Sequence, residues 1–159
     1  MTPSPLSATD LTSWVASPRC GAVVTFCGTV RNTSGERNDV LALEYETDVQ
    51  LAESAIAEVV ASARQQWPAI GAVAIHHRVG KVELGESAVI VAVSSAHRGE
   101  AFDAAEFCID TLKACVPMWK RDVWPGGGAW SSDARSIKSV GEARSVQLEQ
   151  RDDANDETS

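Results

Sequence analysis

His97 and Arg98, then Lys113, then Lys120 and Arg121, place a histidine, two arginines and two lysines at the two ends of one stretch that reads as a helix. The rest of the chain is acidic, with a net charge of −8. Cations gathered where the remaining surface repels negative charge mark a place for a bound anion. His97-Arg98 follows directly on an apolar strand and opens the helix. The first backbone N–H groups of a helix are unpaired and carry partial positive charge, so this position already favours a phosphate or carboxylate. Arg98 adds a planar, two-pronged donor, and Ser94 or Ser95 is placed to cap the helix. An arginine at a helix start is electrostatically misplaced unless something negative lies beside it.

The lysines suggest more than binding. Lys113 falls in the last turn of the same helix, where the helix dipole alone favours a cation. Lys120 follows the break at Pro117 and sits among Met118, Trp119 and Trp124, next to Arg121. Desolvation and a neighbouring cation both disfavour the ammonium form, which frees an amine for proton transfer or nucleophilic attack. A lysine at a strand edge also blunts aggregation, and that role alone would account for Lys120. Arg31 ends an earlier strand, and Gly28 before it suggests that something approaches the backbone there. His76 and His77 are adjacent in a strand, so they point to opposite faces and share no metal.

Several functions are excluded. No carboxylate pair, phosphate-binding G-x-x-x-x-G-K-[ST] loop, G-x-S-x-G elbow or H-E-x-x-H motif occurs. The acidic balance argues against a nucleic-acid or membrane-surface binder, and no apolar run approaches the roughly eighteen residues of a membrane span. Residues 1–11 lack a secretory pattern. The four cysteines, Cys20, Cys27, Cys108 and Cys115, include no C-x-x-C pair. They read as small buried hydrophobes in a reducing cytoplasm.

The elements that must position these residues follow from periodicity. After an irregular start with a helical turn near Leu11–Val15, Gly21–Arg31 alternates as a strand. Asn32–Asp39 is rich in turn formers. Val40–Thr47 alternates strictly at Leu41, Leu43 and Tyr45. A helix runs from Asp48 to Trp67, capped by Thr47 or Asp48 and ended by Pro68. Gly71–Val79 and Ser87–Ser94 read as strands joined through Gly80–Glu86. The second of these is apolar without alternation, so it should be central and covered on both faces. Arg98–Val116 is the second long helix, and short strands should flank Gly126-Gly127-Gly128. The expected fold is α+β: a mostly antiparallel sheet, two long helices packed on it, and short C-terminal strands. Residues 1–141 form one domain, and 142–159 a disordered acidic tail.

These residues carry a resemblance. The run Gly21 to Arg31 (GAVVTFCGTVR), the strand Leu43-Glu44-Tyr45-Glu46, Ser95-Ala96-His97-Arg98, and Leu112-Lys113 with Pro117-Met118-Trp119-Lys120 occur in an order that resembles the large, catalytic subunit of molybdopterin synthase. The likeness spans about Gly21 to Arg135. It implies a sulfurtransferase that converts cyclic pyranopterin monophosphate to molybdopterin. The sulfur would come from the C-terminal Gly-Gly thiocarboxylate of a small ubiquitin-like partner. Two large subunits would form a central dimer with a small subunit at each end, and no cofactor or metal is implied. Carried over by position, Lys113 and Lys120 would be catalytic. Thr29, Val30, Arg31, His97 and Arg98 would bind substrate together with both lysines, Arg121 and Asp122. Arg135 would join them from the neighbouring subunit, and Trp119 or Trp124 would line the channel for the partner's tail. A thiocarboxylate is itself a nucleophile, so the cysteines would be bystanders. The rival reading is a non-catalytic α+β module that holds an anionic metabolite.

Overall fold

The computed structural model describes residues 1–35, 37–131, 137–143 and 145. Among the described residues the main elements follow in the order α1 (Ala8–Val15), β1 (Ala22–Thr29), β2 (Ala42–Glu46), α2 (Val49–Gln66), β3 (Ile70–His77), β4 (Gly80–Glu83), β5 (Ser87–Ser95), α3 (Arg98–Cys115), β6 (Trp119–Trp124) and β7 (Gly127–Trp130).

β5 is the centre of the molecule. It pairs antiparallel with β1 on one side and β3 on the other. Its side chains divide by parity. Val89, Val91 and Val93 face a cluster with Ala104, Ala105, Cys108 and Leu112 of α3 and with Val59 and Ala63 of α2. Ile90 and Ala92 face Leu11 and Val15 of α1. Period-two alternation against two helical layers is why this strand reads as continuously apolar. Each fully buried valine contributes roughly 1.5–3 kcal/mol. Asp48 caps α2 by accepting a hydrogen bond from the Leu51 N–H at 3.1 Å. At the other end of α2, Trp67 meets Phe107 of α3 edge to face, with ring centroids 5.4 Å apart.

The α+β class and the antiparallel pairing hold, with three refinements. Among the described residues the strands form two sheets, β1-β5-β3 and a separate four-stranded sheet in the order β4-β2-β6-β7. The Gly80–Glu86 connection contains β4, whose Val82 is fully buried against Val30 and Ala88. The N-terminal turn is an eight-residue helix, α1, begun by Ser7, whose side chain accepts from the Asp10 N–H.

Gly28 has a local explanation. A Cβ there would come within 2.6 Å of Val89 Cγ1, at the register shift between β1 and β5. The group approaching this backbone is the neighbouring strand's own side chain. Near the C-terminus, Ser139 and Glu142 cap a turn reciprocally: Glu142 Oε2 accepts from the Ser139 N–H at 2.8 Å, and the Glu142 N–H donates to Ser139 Oγ at 3.2 Å. Residue 144 and residues 146–159 lie outside the described residues.

Candidate active site

α3 separates the cations into two groups. Arg98 opens the helix and Lys113 lies in its last turn, roughly 22 Å away by the α-helical rise. β1 and β5 give the same result. Thr29 pairs with Ser87 at one end of the ladder and Ala22 with Ser95 at the other, a span of about 27 Å. Arg31 lies beyond the first end, and His97 and Arg98 beyond the second. One pole therefore carries His97 and Arg98, and the other Arg31, Lys113 and Lys120.

At the first pole His97 is the N-cap of α3 and its side chain makes no capping bond. Ser94 and Ser95 are not caps. Ser94 Oγ accepts from the Ala72 N–H at 2.9 Å, and Ser95 Oγ donates to Glu100 Oε2 at 2.8 Å. Both hydroxyls are taken up by neighbouring protein groups and neither caps the helix start. An open depression of about 460 Å³ is lined by Gly21, Ala96, His97, Arg98 and Gly99. Gly21 is required because a Cβ would stand 2.9 Å from the Ala96 carbonyl oxygen.

The second pole is built where α3 gives way to β6. Thr47 Oγ1 donates to the Pro117 carbonyl and fixes the break between Lys113 and Lys120. Along β6 side chains alternate, so Lys120, Asp122 and Trp124 share one face while Trp119 and Arg121 share the other. Lys120 Nζ stands 3.5 Å from Asp122 Oδ1. This corrects the expectation of a lysine crowded by a second cation: its neighbour is a carboxylate. Arg121 turns away and pairs with Glu44 Oε2 at 2.7 Å. Trp119 is 55% exposed on that outer face, so of the two candidate channel residues Trp124 is the one on the side of Lys120. Arg37 stacks over the Trp124 ring at 3.7 Å.

The remaining candidates are placed unevenly. Arg31 is exposed, its Nε donating to the Thr33 carbonyl at 3.2 Å, and Thr29 is exposed beside it. Val30 is buried, its N–H donating to the Glu86 carbonyl and its own carbonyl accepting from Gly85. Lys113 is exposed. Arg135 lies outside the described residues. Three further residues of this pole were missed from sequence. Ser34 donates to Asp122 Oδ2 at 2.5 Å. Tyr45 sits opposite Lys120 in the β2–β6 ladder, its hydroxyl pushed up to about 12 by burial and by the charge of Asp122. His77 packs edge-on against Tyr45, with centroids 5.0 Å apart. Strict alternation in Leu41, Leu43 and Tyr45 could have placed Tyr45 on the inner face; nothing local announces Ser34.

The cysteines are free: Cys108 and Cys115 are buried, Cys20 is half-buried and Cys27 exposed. Burial pushes the Cys108 thiol up to about 12. Among the described residues no helix is long and apolar enough to cross a membrane.

Comparison with known proteins converges on one family. Residues 1–115 match the family described as MoaE protein. The molybdopterin synthase catalytic subunit of Taeniopygia guttata is 42% identical over 80% of this chain and 82% of its own length. That of Salmonella typhimurium is 45% identical over 80% and 85%. The crystal structure of molybdopterin synthase from Staphylococcus aureus superposes with a TM-score of 0.74 at 34% identity, covering 80% of this chain and 92% of that one. The complex of subunits 1 and 2 of the molybdopterin-converting factor from Helicobacter pylori shares the fold at 18% identity, with a TM-score of 0.68 over 82% and 88%. With the family match and these relatives each covering most of its length, the chain belongs to the MoaE family of molybdopterin synthase catalytic subunits.

Proposed function

We propose that this chain binds cyclic pyranopterin monophosphate and catalyses transfer of sulfur to it from the C-terminal thiocarboxylate of a small ubiquitin-like partner. It acts in the cytoplasm, in keeping with its free cysteines. The observation that carries the reading is the division of cations between the two ends of α3. The uncapped helix start with His97 and Arg98 suits the substrate's phosphate. The pole with Arg31, Lys113 and Lys120 suits the reacting centre and the partner's tail.

The attacking sulfur arrives already ionised, so this chain need supply no thiol. Its task is to orient the tail, stabilise developing negative charge and move protons, work that fits an exposed lysine at the end of α3 and a half-buried one on β6. Roughly 22 Å separates the poles of one copy, farther than one substrate of this size reaches. A complete site therefore needs the His97–Arg98 pole of one copy and the Lys113–Lys120 pole of a second, which makes the working unit a homodimer carrying two small subunits. Thr29 and Arg135 belong to the same site in this reading. Incubating the chain with a thiocarboxylated Gly-Gly partner and the pyranopterin should yield dithiolene product. A folded chain that binds both and forms none would overturn the reading.

A further inference from the structure

Asp122 is the most constrained side chain at the lysine pole. It is 8% exposed, and its Oδ1 is buried without a hydrogen-bond donor among the described residues. A carboxylate oxygen in that state is unfavourable unless a charge compensates it. Among the described residues the ion pair it makes is with Lys120, at 3.5 Å. Its other oxygen, Oδ2, is fixed by Ser34 Oγ at 2.5 Å. Ser34 lies three residues beyond Arg31, in the loop between β1 and β2. The same loop is held to the same face of β6 a second time, by Arg37 over Trp124. The strand carrying Lys120 and the loop carrying Arg31 are thus registered through one carboxylate. Tyr45 closes the same side of the sheet: it stands opposite Lys120 in the β2–β6 ladder, and its hydroxyl is raised by burial first and then by the charge of Asp122.

A buried carboxylate also makes a poor ligand for a phosphate ester and a thiocarboxylate, because like charges repel most where water is scarce. We propose that Asp122 is a positioning residue for the Lys120 ammonium, locked by Ser34, and not a residue that contacts substrate. Lys120 is aimed by Asp122, and Asp122 is aimed by Ser34. The inference rests on the sulfur-transfer reading for its kinetic test and stands apart from it for its chemical one.

The kinetic test compares Ser34→Ala, Ser34→Thr, Asp122→Asn and the Ser34→Ala/Asp122→Asn double variant in the assembled enzyme. Losing the aim of Lys120 should lower kcat roughly tenfold in Ser34→Ala and about 10²-fold in Asp122→Asn, with KM for the pyranopterin unchanged. Ser34→Thr restores the hydroxyl and should recover the rate. The double variant should be no worse than Asp122→Asn alone, because Ser34 acts through Asp122. The chemical test needs no partner: the acylation rate of Lys120 by an amine reagent, read by mass spectrometry, should rise severalfold in Ser34→Ala and Asp122→Asn. If Asp122→Asn does not fold, the Ser34→Ala and Ser34→Thr pair carries both readouts. A raised KM with unchanged kcat, fully additive losses, or a Lys120 acylation rate equal to wild type in both variants overturns the proposal. Wild-type protein that forms no product overturns the sulfur-transfer reading instead, and the acylation rates then decide this one.

Discussion

Lys113 and Lys120 are set by different means, and substitution should show it. Lys113 projects from the last turn of α3 into solvent, whereas Lys120 is half-covered and paired with Asp122. Neither holds the core, so Lys113→Ala and Lys120→Ala should fold normally while turnover falls on the order of 10²–10³-fold. Near-normal product formation by either folded variant, with partner bound, would remove that lysine from the mechanism. His77 gives a prediction about stability. Its Nδ1 lies 2.7 Å from the Arg78 carbonyl oxygen, and burial lowers its pKa from the usual 6.5 despite that bond. Below about 6.5 the unfolded chain therefore binds a proton that the folded chain refuses. Stability then rises with pH across this window and is lost as the pH falls through it. His77→Phe keeps a ring against Tyr45 and removes the titration. Melting temperatures between pH 5 and 8 should show a shallower acid-side fall in the variant; an unchanged slope would assign the effect elsewhere.

α3 holds the core with its middle and carries cations at its ends, and this division explains what could be read in advance. Its exposed positions Arg98, Phe102, Glu106, Asp110 and Lys113 recur at helical spacing, and Cys108, Leu112 and Cys115 are buried, so the helix and its terminal cations were legible as a pattern. β5 and α2 were legible for the same reason. β4 was not, because Gly80–Glu83 offers one apolar residue, Val82, too little for a period. The division into two sheets was not legible either: β1 and β2 are consecutive, yet β1 pairs with β5 and β2 with β4 and β6. Ser34 and Asp122 are 88 residues apart, and only the fold brings them together. The buried stripe also bears on sulfur chemistry. Cys108 is held as the thiol by burial, and burial raises Cys115 too, so neither is disposed to form a thiolate. Replacing all four cysteines with Ala or Ser should cost about 1 kcal/mol at each buried site and leave sulfur transfer measurable. A folded single variant that binds partner and substrate but transfers no sulfur would point to a persulfide on this chain.

For the whole molecule, the separation of the two cationic poles makes the assembly testable through function. Light scattering should report a homodimer alone and a larger complex with two small subunits; a monomer under both conditions would remove the proposed arrangement. The sharper test uses two variants damaged at opposite poles, Arg98→Ala and Lys120→Ala. In the proposed arrangement each homodimer has both of its sites damaged, because every site draws one residue from each copy. In a heterodimer of the two variants, one site takes Arg98 and Lys120 from the undamaged poles, and the other site takes both defects. Co-expression with two different tags and sequential purification gives that heterodimer, which should regain about half the wild-type turnover by the two-fold symmetry of the interface. If each copy instead contained its own complete site, every site in the heterodimer would still carry one defect, and turnover would stay at the level of the parents. Recovery would also fix the direction of the chemistry across the dimer, with phosphate held by one copy and sulfur delivered at the lysines of the other.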